Sequence, residues 1–355
     1  MRHILLSFFL CCFCLASAQT EVSPYEPGVT KEGITYFLPK TGIHVTLTAQ
    51  RKQHKPGEYC KYAERYLRLK NVTQQPYDEW NILKIEITTF GVADPGKAYT
   101  IKVKAKTSAP LVSLASDGRL LSVNTTAPAI PQLSRPEVIR EKQELLNPAD
   151  YKTGEILAAG STSKMAELTA NEIYDIRENR SMLTKGQADF MPQDGEQLRL
   201  MLKQLDTNEE ALLQLFKGTT STETHVFTFD VVPESSIENQ LLFRFSKHFG
   251  LVDQDDLSGT PFYITVEDMH SLPYEDPASK KSQNDKEDLR YTMPGKATIH
   301  ILRENQEIAS QVVTMAQLGR IEHLGGDLFN KKYTTSVILS PETGAIVQIN
   351  AEEPQ

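Results

Sequence analysis

The chain is poor in cysteine. Four occur in 355 residues, and three of them (Cys11, Cys12 and Cys14) fall within the first eighteen positions. Cys60 is left alone in the body of the protein, so no internal disulfide can staple the fold even in an oxidising compartment. It reads as a small packed side chain and not as a nucleophile. Tryptophan is scarcer still, with Trp80 the only one. Beyond the N-terminus no apolar run approaches the roughly 20 residues that a helix needs to cross a bilayer. Positive charge is in deficit: 38 Lys and Arg face 46 Asp and Glu, a net of −8. A surface of that sign repels nucleic acid and anionic membranes, so neither is an expected partner.

The signatures of common chemistry are missing too. There is no His-Glu-x-x-His zinc motif, no Gly-x-Ser-x-Gly elbow, no Cys-x-x-Cys pair and no dinucleotide fingerprint. The eight histidines are scattered without metal-type spacing. This weighs against an enzyme without closing the case, because a glycosidase needs only two carboxylates that the fold brings together.

What is present begins at the N-terminus. Arg2 and His3 form a short basic region, the apolar run Ile4 to Leu15 follows, and Ala16-Ser17-Ala18 supplies a small-x-small cleavage pattern. The run is too short for an anchor, so residues 1–18 read as a removed signal peptide and the mature chain is expected to start near Gln19. Phe9-Leu10 before Cys11 lacks the small residue that a lipidated cysteine requires. Export to the periplasm or cell envelope is the expected location.

From 31 to 125 the pattern is that of an N-terminal β domain. Leu83, Ile85 and Ile87 alternate with Lys84, Glu86 and Thr88, and Asp94-Pro95-Gly96 reads as the turn of a hairpin whose second arm holds Tyr99, Ile101 and Val103. A second hairpin joins Leu111–Leu114 to Leu120–Val123 through Ser116-Asp117-Gly118. One helix follows Pro56-Gly57, with Tyr59, Tyr62, Ala63, Tyr66 and Leu67 on one face, expected to pack on a sheet. A proline-punctuated connector spans 126–160, with a short helix expected around Glu137 to Leu146.

A helical block is expected at 161–218. Ser161-Thr162-Ser163 caps a helix running to Gly186, and Gly160 to Lys164 reads as that cap, not as a phosphate loop. Asp194 with Gln197 caps a second helix carrying Leu198, Met201, Leu202 and Leu205. Thr207 with Glu210 opens a third, ending at Gly218. A C-terminal β domain spans 222–350, interrupted by a charged, proline-punctuated loop from His270 to Leu289.

The β regions echo each other. Tyr36-Phe37-Leu38-Pro39 with Ile43-His44-Val45 parallels Tyr291-Thr292-Met293-Pro294 with Ile299-His300-Ile301, and the hairpin Val112 to Asn124 parallels Val337 to Asn350. Convergent turn chemistry explains short likenesses of this kind, but the matching order at both ends also suits two related β regions flanking a helical insert. His44 and His300 stand at parallel positions. Each is a candidate ligand, though a hydrogen-bonded packed histidine is the ordinary reading.

Three features are candidates for binding. On the helix after Ser163, Glu172, Asn179 and Arg180 fall inside the arc of Met165, Leu168, Ile173, Ile176 and Leu183. Buried polar groups must be paired, so these three either contact the β regions or line a cleft. Tyr77 and Trp80 are candidate stacking surfaces for a sugar, although a lone tryptophan beside a strand is ordinarily core. Asp253, Asp255 and Asp256 could supply oxygens to Ca²⁺, but Ile264 stands where an EF-hand needs a bidentate glutamate, and a solvated acidic turn is the plainer reading.

The segments Glu58 to Leu67, Gly160 to Glu167, Ile176-Arg177-Glu178-Asn179-Arg180, Asp194 to Leu198, Asp256 to Pro261 and Met315 to Gly319 together resemble an uncharacterised family of exported Bacteroides-type proteins about 350 residues long. The resemblance spans nearly the whole mature chain. It implies export and one shared architecture, and it carries no activity or catalytic residues. The expectation is an α+β protein, mostly antiparallel β, with two β-sandwich-like regions and a helical block between them. Its expected role is non-catalytic binding or scaffolding in the envelope, with an envelope protein or glycan as partner. The rivals are a glycan or peptide hydrolase pairing Glu172 with Asp255 or Asp256, and a protein-assembly partner.

Overall fold

A computed structural model describes residues 21–24, 33–102, 111–140, 146–273, 289–324 and 334–352. The expected signal peptide and most of the expected 270–289 loop lie outside them. The first half of the chain holds strands β1 (Glu21–Pro24), β2 (Ile34–Lys55), β3 (Tyr77–Lys102), β4 (Val112–Leu114), β5 (Leu120–Val123) and β6 (Glu137–Arg140), with helix α1 (Ala63–Leu67) between β2 and β3. Helices α2 (Gly154–Ala158), α3 (Thr162–Lys185) and α4 (Gly195–Lys217) follow. Then come β7 (Thr219–Val231), β8 (Ile237–Ser246), β9 (Gly250–Val252), β10 (Thr260–Asp268), β11 (Leu289–Arg303), β12 (Gln306–Leu324), β13 (Thr334–Leu339) and β14 (Ile346–Glu352). With 49% strand, 23% helix and antiparallel sheets, this is the expected mostly-β α+β fold.

Sheet I has the order β1-β3-β2-β7-β6, sheet II β12-β11-β10-β8-β9 and sheet III β14-β13-β5-β4. Alternation sets what they bury. Ile43, Val45, Leu47 and Ala49 of β2 pack against Phe243, Phe262, Ile264, Ile299 and Ile301, so sheets I and II close face to face over one core. The far ends of the same long strands build a second core: Tyr36, Leu38 and Ile101, with Leu289, Tyr291 and Ile321, pack on Leu120, Val123, Val337 and Leu339 of sheet III.

Sheet membership does not follow chain order. β7, from the C-terminal half, pairs with β2 over its whole length, from Ile43↔Val231 to Lys55↔Thr219. β13 pairs with β5 through Val337↔Val123. Both β regions therefore contribute to sheets I and III.

The internal echo is a repeat of structure. β2 and β3 pair as a long hairpin, as do β11 and β12. In the first, the four residues Asp94, Pro95, Gly96 and Lys97 stand opposite Leu38 alone. In the second, Ala316, Gln317, Leu318 and Gly319 stand opposite Pro294 alone. Each bulge falls where the hairpin leaves one core and enters the other, and bulges bend strands in this way. The short hairpins β4–β5 and β13–β14, which follow the two long ones, lie side by side in sheet III.

The Asp94-Pro95-Gly96 hairpin turn expected from sequence is thus a bulge inside one continuous strand. The Asp94 carboxylate accepts from Gly96 N–H at 3.0 Å and lies 3.7 Å from Lys40 Nζ and 3.8 Å from Lys97 Nζ. The same residue types close turns and make bulges, and only the partner strand decides between them. The hairpin at Ser116-Asp117-Gly118 is present, with Gly118 at φ +85°.

Two helix expectations are corrected. Glu137–Arg140 forms strand β6, held by pairing to β7, where the sequence suggested a helix to Leu146. The second and third helices of the block are one, α4: Thr207 Oγ1 donates back to the Lys203 carbonyl at 2.9 Å and caps nothing. The other caps stand as read. Ser161 accepts from Lys164 N–H, Gly186 closes α3 in the left-handed region, and Asp194 accepts from Gln197 N–H.

Candidate functional site

The two repeats differ in what hangs on them. β11 passes to β12 through Glu304 and Asn305 alone, whereas the connection from β2 to β3 carries α1, and the path from β6 to β7 carries α2 to α4. These additions pack on one another. Tyr59, Ala63 and Leu67 meet Ala170, Ile173, Leu212, Leu215 and Phe216 in a third core. The tyrosine-bearing helix therefore rests on α3 and α4, not on a sheet as its pattern suggested. Cys60, at its start, is a half-buried free thiol.

The helical layer is fastened to sheet I by backbone. Tyr59 N–H donates to the Leu215 carbonyl at 2.7 Å. A Cβ on Gly57 would sit 2.3 Å from that same carbonyl oxygen, and one on Gly218 (φ +80°) would sit 2.2 Å from the Lys55 carbonyl oxygen. Only glycine permits this approach and this φ.

Beside the fastening lie two cavities that share Thr219 on their walls. The first, about 600 Å³, is lined by Gln53, His54, Lys55, Tyr77, Asp78 and Ser221, among others. The second, about 460 Å³, is lined by Arg180, Asp206, Glu209, Gln214, Lys217 and Thr220, among others. Strand register sets His54 of β2 between its partners Tyr77 on β3, which lines the first cavity, and Thr220 on β7, which lines the second. The His54 and Tyr77 rings stack at 5.1 Å and 15°. His54 Nδ1 is 2.9 Å from Thr220 Oγ1. His54 is 92% buried by its 8% exposure, and its Nε2 is buried without a hydrogen-bond partner. A buried, unmet polar atom of this kind costs about 1–3 kcal/mol.

Two residues of the first cavity, Gln53 and Asp78, are tied by a hydrogen bond. Arg51 grips Asp78 with two hydrogen bonds, at 2.9 and 2.6 Å, and Gln53 Nε2 adds a third at 2.9 Å. The Arg51 guanidinium, followed by the Gln53 amide, holds the Asp78 carboxyl below the usual aspartate range. Arg51 also lies 5.6 Å over the Trp80 ring.

The residues singled out from sequence divide between places. Tyr77 and Arg180 line the paired cavities. Trp80 is 8% exposed and sits in the main core against His225 and Phe245, so its ring offers no open face. Arg180 lies 3.1 Å from Asp206 and 4.0 Å from Glu209. Glu172 is half-buried, Asn179 and Arg180 are exposed, and the buried stripe of α3 is Ala166, Thr169, Ala170, Ile173, Ile176 and Leu183. The helical wheel overstated the arc: Met165 and Leu168, expected inward, are half-buried like Glu172.

Asp253, Asp255 and Asp256 occupy the exposed turn between β9 and β10. Asp256 accepts from Ser258 N–H at 2.8 Å, which lowers its carboxyl, and Arg244 donates to the Gln254 and Gly259 carbonyls at 2.7 and 3.0 Å. Among the described residues no group of three or more His, Cys, Asp or Glu side chains is placed to hold a metal. His44 and His300 alternate with core residues on sheets I and II, so they face away from each other. His44 pairs with Asp230 and His300 with Glu307, each at 2.5 Å.

His54, Gln53, Thr219 and Thr220 were missed by sequence reasoning. Each is unremarkable in its own strand, and only the pairing of distant strands brings β2 and β7 together there. The fold and site together define a mostly-β protein with a helical layer over one sheet end and a polar, aromatic-walled cleft at the junction. The chain belongs to a family described as a domain of unknown function (DUF4831), whose profile matches residues 32–347. No curated protein and no solved structure matches it. No helix among the described residues is long and apolar enough to cross a membrane.

Proposed function

We propose that the protein is an exported component of the cell envelope that binds a glycan or peptide in the cleft at His54 and does not transform it. The observation that carries this reading is the cavity of about 600 Å³ walled by His54, Tyr77, Gln53 and Asp78. A Tyr77 ring for stacking, with the Thr219 and Ser221 hydroxyls and the Lys55 ammonium, is the mixture of apolar face and hydrogen-bonding groups that sugars and extended peptides require. Catalysis fits poorly. His54 and Thr220 have the spacing of a base and a nucleophile, but no carboxylate among the described residues orients the ring, as an activated hydroxyl demands. Glu172 and the Asp255/Asp256 turn line neither cavity, which leaves the hydrolase reading without its carboxylate pair.

A scaffolding role finds support in one further place. At the end of the α3–α4 hairpin, Phe190 (71% exposed), Met191 and Leu200 stand in solvent, and exposed apolar side chains close in sequence suit a protein partner.

The test is a thermal-shift screen of glycans, peptidoglycan fragments, extended peptides and Ca²⁺ against the wild type, Tyr77→Ala and His54→Ala. A ligand that raises the wild-type midpoint and fails to raise that of either variant supports binding at this cleft. Equal shifts in all three, or none with any ligand, would remove it.

A further inference from the structure

Sheet edges expose unpaired backbone N–H and C=O groups, and proteins guard them with short strands, charge, proline or bulges. Most edges here are guarded. β1, β4, β6 and β9 have three or four residues each. The free edge of β3 carries Asp78, Glu79, Lys84 and Glu86, and its Trp80 N–H is already taken by the Lys247 carbonyl at 2.7 Å.

β12 is the exception. It is the terminal strand of sheet II, and among the described residues it pairs only with β11. No charged residue and no proline occurs from Ile308 to Gly319. Its ladder to β11 runs without a register shift from Ala309 to Met315, between the Ile308 bulge and the Ala316–Gly319 bulge. Val313 and Met315 are buried in the main core, and the alternate residues Ser310, Val312 and Thr314 are exposed, with Val312 at 55%. β14 is the other uncharged edge, over Ile346 to Asn350, but it is short and ends at Glu352.

We infer that β12 is a self-association edge, and that its occupant is the β12 strand of a second copy, laid antiparallel across a two-fold axis at Val312. The strand is complementary to itself in that register. Val312 meets the second copy's Val312 on the solvent side, Ser310 meets Thr314 through their hydroxyls, and Ala309 meets Met315 on the core side. Like charges directly opposite would oppose such a pairing, and this register brings none together. A two-fold edge contact satisfies the same hydrogen-bonding groups in both copies and joins the two five-stranded sheets into one. Despite the net charge of −8, the charge-free edge gives this approach no local repulsion.

The experiment is sedimentation equilibrium on the full chain at high micromolar concentration, for the wild type, Val312→Lys and Val347→Lys. Val312 and Val347 are both exposed, so both variants are expected to fold, with the wild-type circular dichroism spectrum, and a monomeric Val312→Lys is expected to melt lower only by the loss of its second copy. The wild type and Val347→Lys are expected at twice the chain mass, and Val312→Lys at the single-chain mass. A monomeric wild type would overturn the inference, and so would a dimer that survives Val312→Lys or is lost in Val347→Lys. None of these outcomes depends on a ligand in the His54 cleft.

Discussion

Gln317 satisfies three backbone groups with one side chain. Its Oε1 accepts from Thr41 N–H at 3.0 Å, and its Nε2 donates to the carbonyls of Thr41 and Pro233 at 2.9 Å each. The bulge that carries it therefore also ties β12 to β2. Truncation to alanine leaves those groups to find water in a half-buried site, at about 1–3 kcal/mol each where none reaches. Gln317→Ala is expected to lower the unfolding free energy by about 3 kcal/mol in a urea titration. A loss below about 1 kcal/mol would mean that water replaces the amide. Asp78 makes a different demand. Its carboxyl is held low by Arg51, so between its folded and ordinary values the unfolded chain binds more protons than the folded one. Its stabilisation is present at neutral pH and fades as the pH falls from about 4 toward the depressed value. Solvent screening keeps the effect below about 1 kcal/mol. Asp78→Asn is expected to flatten that limb of an acid-unfolding curve. Neither role was legible in sequence. Gln317 and Thr41 lie 276 positions apart, and Asp78 looked like one more charge on an alternating strand.

Helices show where local reading succeeds. Ser161 and Asp194 cap their helices as their sequence positions suggest, because capping joins a side chain to an N–H three residues on and needs no distant partner. What local reading could not give was which part of α4 is anchored. Ala211, Leu212, Leu215 and Phe216 are buried, whereas Leu198, Met201, Leu202 and Leu205, equally apolar, are only half-covered. The difference lies in the neighbours: Leu212, Leu215 and Phe216 at the C-terminal end of α4 share a core with Tyr59 and Ala63, and Leu215 accepts from Tyr59 N–H. Phe216→Ala is accordingly expected to cost about 3–5 kcal/mol, and Leu202→Ala about 1 kcal/mol, as an incompletely buried site. Hydrogen exchange should follow the same gradient, with amides of 198–206 exchanging faster than those of 211–217. Uniform protection along α4 would contradict it. The bulge at Asp94-Pro95-Gly96 and strand β6 failed the local reading for the matching reason, since a partner strand decided both.

At the scale of the molecule, chain order and fold order part company. The sequence suggests a β region, a helical block and a second β region, each a plausible unit, and its internal echo does correspond to two long bulged hairpins. Yet the hairpins do not head separate domains. Each spans both β cores, and β7 follows the helical block only to return to β2 in sheet I. β13 closes on β5 across 200-odd positions in the same way. A break after Gly218 would strip sheet I of β7, uncovering the edge of β2 and the core residues Phe227 and Phe229 that pack beside it. It would also leave sheet III with the three- and four-residue strands β4 and β5, which two-stranded pairing cannot sustain in water. Residues 19–218 and 219–355, made separately, are each expected to show no cooperative unfolding transition and to bind hydrophobic dye. Mixed at high concentration or co-expressed, they are expected to recover one transition, because each piece carries the strands the other lacks, at the entropic cost of association. Independent cooperative melting of either piece would show that one β core needs no strand from the other half.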